Sequence, residues 1–176
     1  MCSPTQNLDR MLKWRTRIVY NFRYKQDPKV VFATKADLEE WGSVKPSGWY
    51  SSENGLIYLI KGLTVWEREI IYLHERVHRH CHKSKCFCWG QRTDTWCEYH
   101  AYKGEFLSVQ EINHPCLWDA WVQQWRNMLK LRYLDSKEWR HHRKALRKLC
   151  QRKDVILALQ ISGLLTQIWH MLEIHP

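Results

Sequence analysis

The chain has 176 residues, enough for one domain with an appendage and for a sizeable buried core. Its 28 Lys and Arg against 18 Asp and Glu give a formal charge of +10, which favours contact with acidic surfaces, whether nucleic acid, anionic lipid or acidic protein. The N-terminal MCSPTQNLDRMLKW lacks the apolar core of a secretory signal, so an intracellular, cytoplasmic protein is expected, with its seven Cys as thiols or metal ligands rather than disulfides.

In chain order, Gln6 to about Trp14 carries Leu8, Met11 and Leu12 at helical spacing, and RIVYNFRY alternates Ile18, Tyr20, Phe22 and Tyr24 as a strand would. KVVFAT, Lys29 to Thr34, predicts a second strand and KADLEEW a short helix after it. SGWYSSENGLIYLIKG reads as a hairpin, with Asn54-Gly55 supplying the positive φ angles of a tight turn. Gly62 ends that strand. Thr64-Val65-Trp66-Glu67 is a capping box, so a helix is expected from Val65, with Ile70, Ile71, Leu73 and Val77 on its apolar side.

From Arg79 to Arg92 the chain is basic and Cys-rich with Gly90 as a breaker, which predicts a loop. Thr95 and Glu98 repeat the capping-box spacing and open a second helix through about Gln110. Beyond Pro115 three helices are expected: CLWDAWVQQWRNMLKLRYL, amphipathic; SKEWRHHRKALRKLC, strongly basic; and DVILALQISGLLTQIWHMLEI, apolar. In the last, Gln160, Ser162, Gly163, Thr166, Gln167 and His170 interrupt the ~18 apolar residues that a membrane span needs, so it is expected as a buried helix.

His74-Glu75-Arg76-Val77-His78 fits HExxH, a pattern that 10 His and 11 Glu in random order would produce only about 0.035 times in a chain of this length. Two His four apart on one helical face can reach a single metal, and Glu75 borders the same face, where it can take a proton from a metal-activated water. Catalytic zinc needs three protein ligands and one open position. Glu98 is the expected third ligand, with His100 and Glu105 as alternatives, and Ala101 allows the two helices to approach closely. Arg76 and Arg79, within and just after the motif, are expected on its solvent side.

The ordered features GWYSSENGLIYLI, a capped helix with HERVH, and EYHAY on a following helix resemble the minimal gluzincin metallopeptidases, including the ImmA/IrrE type, over roughly residues 47–111. The resemblance implies an α+β zincin-like fold at 1–113, a small twisted sheet packed on the HExxH and Glu-ligand helices. The all-helical extension at 114–176 lies outside it. It also implies an edge strand before the motif helix that binds extended substrate. The expected activity is a zinc-dependent endopeptidase acting on a protein or peptide, with His74, His78 and Glu98 holding Zn2+ and Glu75 as general base.

Two further features stand apart. His80, Cys81, His82, Cys86, Cys88, Cys97 and His100 could hold a second metal, although Cys86-Phe87-Cys88 is spaced too tightly for a usual zinc pair, and thiols in a loop are the simpler reading. The run WRHHRKALRKLC could touch nucleic acid weakly, or could simply be a solvated face. Together they define a competing expectation, a non-enzymatic basic nucleic-acid or protein-binding accessory protein with a metal-stapled Cys/His loop.

Overall fold

A computed structural model describes residues 21–34, 36–37, 47–86, 94–130 and 137–172. The helix expected at 6–14, most of KADLEEW and the segment 87–93 lie outside the described residues. The architecture is mixed α+β. In chain order it comprises α1 Arg23–Gln26, β1 Val30–Ala33, β2 Gly48–Tyr50, β3 Ile57–Ile60, α2 Val65–Lys83, α3 Asp94–Ile112, α4 Pro115–Lys130, α5 Lys137–Leu149, α6 Lys153–Ile161 and α7 Leu165–Leu172.

Where a strand through Tyr24 was expected, the chain turns into α1 at Arg23. The fully buried Glu69 of α2 explains it: its carboxylate accepts the Arg23 N–H at 3.1 Å and the Tyr24 N–H at 3.3 Å, satisfying two free donors of the first turn. No local pattern announces a cap that comes from 45 residues away.

The sheet order is β1-β3-β2, with β1 parallel to β3 (Val30 opposite Ile57) and β2 antiparallel to it (Tyr50 opposite Ile57). The strand immediately before the motif helix is therefore central among the described residues, not an edge. Ile57 and Leu59 alternate inward, fully buried beneath α2. At Gly48 an added Cβ would sit 2.5 Å from Ile71 Cγ2 and 2.9 Å from the Tyr58 carbonyl, so only glycine lets α2 lie this close. The hairpin connection is longer than a two-residue turn: Ser51 N–H bonds the Leu56 carbonyl at 2.9 Å, and Gly55 alone takes a positive φ of 71°. Asn54 instead holds the Leu56 N–H with its side chain.

The capping box at α2 forms as expected, Thr64 Oγ1 accepting the Glu67 N–H at 3.2 Å and Glu67 accepting the Thr64 N–H at 2.8 Å. The helix then runs on through His80 to Lys83, replacing the first part of the expected loop, because nothing breaks it before Lys85 adopts φ 49°. The second capping box does not form. Helix α3 already includes Thr95, whose hydroxyl lies 3.0 Å from His141 Nδ1 on α5. Helices α2 and α3 pack along one another, with a tight approach at Gly104, where a Cβ would meet Val77 Cγ2 at 2.6 Å.

Helix α4 buries Leu117, Trp121 and Trp125, and α5 turns Ala145, Leu146 and Leu149 inward from an otherwise basic helix. The single C-terminal helix that was expected is two, broken at Gly163 with φ 69°; there the Leu164 N–H reaches back to the Leu159 carbonyl at 2.9 Å, a left-handed helix stop. One hydrophobic cluster runs from Tyr50, Ile57 and Ile70 through Phe106 and Trp121 to Leu146, Leu159 and Ile168, so the sheet end and the C-terminal helices share a core. Among the described residues no helix is long and apolar enough to cross a membrane.

Candidate metal centre

Helix α2 places His74 and His78 one turn apart with their rings converging, and α3, lying alongside, brings Glu98 against both. Nε2 of His74 lies 3.2 Å from Nε2 of His78 and 3.3 Å from Glu98 Oε2, while Nε2 of His78 lies 3.4 Å from Glu98 Oε1. Zinc bonds to N and O of about 2.0–2.1 Å at tetrahedral angles give ligand-to-ligand edges of about 3.3–3.4 Å. These three side chains thus form a group that could hold a metal ion, the two imidazoles meeting different oxygens of the one carboxylate at distances near such edges.

The surrounding groups orient that face. Glu105, fully buried on α3, takes the other nitrogen of His74: Nδ1 lies 3.1 Å from Glu105 Oε2, which turns Nε2 toward His78 and Glu98. Gln124 of α4 donates to the same oxygen at 3.3 Å. His142 of α5 sets Nδ1 3.1 Å from Glu98 Oε2 and 2.9 Å from the Tyr102 hydroxyl, and the Tyr102 ring stands edge-on to His74. Glu75 is half-buried, and its charge is felt at both His74 and Glu105.

The protonation states follow from this packing. Burial disfavours a charged His74, yet hydrogen bonds to Glu105 and Glu98, with the charges of Glu98 and Glu75, outweigh it and hold the imidazole well above its ordinary 6.5. Burial likewise pushes Glu98 up, but the positive charges of His78 and His142 and hydrogen bonds from His142 and His74 bring it well below 4.5. Glu105 is raised above 4.5, by burial first and by the Glu75 charge after it. A metal ion must therefore displace a proton from His74, so binding is expected to strengthen as pH rises.

Of the residues singled out in the sequence, His74, His78 and Glu98 are brought together. Glu105, an alternative ligand, stands behind His74 instead. His100, the other alternative, lies with Cys81 and Cys86, the second group here that could hold a metal ion. Of the remaining cluster, His80 is exposed, His82 meets the Tyr50 hydroxyl at 2.6 Å, and Cys88 is outside the described residues. Arg79 does not face solvent as expected. It pairs with Asp27, which also accepts from the Tyr72 hydroxyl at 2.9 Å and so ties α2 to the entry of β1. His142 was missed, because a His pair inside WRHHRKALRKLC looks like part of a cationic face; the inward Ala145, Leu146 and Leu149, three, four and seven positions on, were the signal that it lies on the buried side.

Known protein families, curated proteins and solved structures offer no match to this chain.

Proposed function

We propose that the protein is a zinc-dependent endopeptidase with a zincin-like arrangement of its first part, hydrolysing a peptide bond in a protein or peptide substrate. The observation that carries this reading is the convergence of His74 Nε2, His78 Nε2 and the Glu98 carboxylate at 3.2–3.4 Å, with Glu75 next in chain to His74. Zinc held by His74, His78 and Glu98 would supply Lewis acidity, making water acidic and the scissile carbonyl electrophilic. Glu75 accepts the proton as the water oxygen bonds to the carbonyl carbon. It then passes that proton to the leaving amine as the C–N bond breaks. Glu105, steadied by Gln124, fixes the ring and tautomer of His74, and His142 orients Glu98 from the side of α5.

The competing reading, a basic nucleic-acid-binding accessory protein, draws on α5. There Arg147 donates to the Leu172 carbonyl and Lys148 stands 4.0 Å over the Trp96 ring, so part of that charge is engaged within the fold.

The test is metal analysis joined to proteolysis of a mixed peptide library followed by mass spectrometry. His74→Ala and His78→Ala should each lose a zinc equivalent and all cleavage. Glu75→Gln should keep the metal and lose about 10²–10⁴ in rate. A chain whose zinc content and activity ignore all three substitutions overturns the reading.

A further inference from the structure

We propose that Cys81, Cys86 and His100 form a second metal site, structural and thiophilic, that ties the end of α2 to α3 independently of the first centre. Their ligand atoms all lie within 4.8 Å of one another. His100 Nδ1 is 3.7 Å from Cys86 Sγ and 4.0 Å from Cys81 Sγ. Zinc–sulfur bonds of about 2.3 Å and zinc–nitrogen bonds of about 2.0–2.1 Å at tetrahedral angles give an S-to-N edge of about 3.6 Å, close to both.

The way α2 ends creates this pair of thiols. Lys85 takes the left-handed conformation, a position where Gly or Asn is usual, and the chain folds back so that the Cys86 N–H bonds the Cys81 carbonyl at 2.9 Å and the Lys85 N–H bonds the His82 carbonyl at 3.2 Å. That paired helix stop brings the residue two beyond the cap over the residue three before it. Where an apolar contact ordinarily closes the motif, this chain has two sulfurs. The Cys-x4-Cys spacing is thus a chelate made by helix-end geometry, and His100 closes it from the neighbouring helix.

The donor set distinguishes this site from the first. Two sulfurs and an imidazole favour zinc over magnesium or calcium, which take oxygen ligands. Cys81 is three residues beyond His78, and His100 two beyond Glu98, so a metal here pins the spacing of the helices that carry the first centre's ligands.

The experiment uses the full chain loaded with zinc or cobalt salts alone. Wild type should hold two metal equivalents, and Cys81→Ser/Cys86→Ser should lose one of them. Cobalt-loaded wild type should show a thiolate-to-cobalt charge-transfer absorption in the near ultraviolet, a readout that needs no variant should the double substitution fail to fold. In a His74→Ala/His78→Ala background that absorption and one metal equivalent should persist, which separates this site from the proposed peptidase centre: either can fail without the other. Absence of the thiolate absorption from metal-loaded wild type overturns the proposal. So does a Cys81–Cys86 disulfide in protein purified with zinc present.

Discussion

The two halves of the candidate centre are built differently. His74, Glu75 and His78 sit on one helix, and their mutual placement follows from 3.6 residues per turn once that helix forms. Glu98, Glu105, Gln124 and His142 come from α3, α4 and α5, and meet only because α3 and α4 pack against α2 and α5 packs against α3. The first half is local and survives any change that leaves α2 helical. The second is an outcome of the core, so damage to packing should reach the metal through it.

The largest test of that contrast is Phe106→Ala. Phe106 is fully buried next to Glu105 and packs against Trp121 with ring centroids 5.3 Å apart. The substitution should cost about 3–5 kcal/mol, read by urea unfolding, and metal affinity should fall with it although no ligand is touched. Unchanged affinity in the folded variant would show that the second half is not held by the core. Glu105→Gln is narrower. With the charge behind His74 gone, zinc affinity measured by chelator competition should drop about 10–100-fold, whereas Glu75→Gln should leave it intact.

Asp27→Asn addresses the opposite side of α2. Burial raises the Asp27 carboxyl, but hydrogen bonds from Arg79, the Lys29 N–H and Tyr72 together hold it below its ordinary 3.8. A carboxylate lowered in the folded state contributes stability that is complete above its unfolded value and is lost as pH falls through the folded one. The variant should lose about 2 kcal/mol at neutral pH. It should also show a flatter decline in stability below pH 3.8, followed by acid titration of unfolding. Zinc affinity should not move, since the His spacing within α2 is unaffected.

The same contrast explains what could be read in advance. The start of α2, its apolar side and the His pair were legible because each rests on residues within a few positions of one another. Glu98 was also legible, but through its order in the chain rather than the reason first attached to it. Thr95 caps nothing and meets His141 instead, while Glu98 faces three imidazoles. Illegible were the interactions that packing alone creates: Glu69 capping α1, Arg79 reaching Asp27, and Glu105 and His142 arriving behind the ligands. The break at Gly163 is a different case. An isolated glycine in an apolar run is compatible with both a continuous helix and a left-handed stop, and the buried Leu159, Leu164 and Ile168 select the stop here.

The smallest expected effect gives the cleanest division between the halves. Thr64→Ala removes the hydroxyl that accepts the Glu67 N–H, and with it one side of the capping box; the cost should be about 1 kcal/mol in thermal or urea unfolding. His74 lies ten residues further along α2, well inside the helix, and its Nδ1 is held by Glu105 rather than by the first turn. Fraying at the cap should therefore stop short of the ligands, and zinc affinity and the pH dependence of binding should match wild type. If affinity instead falls in proportion to stability, the motif helix and its cap form one cooperative unit with the centre, and the local half is no more independent than the packed one.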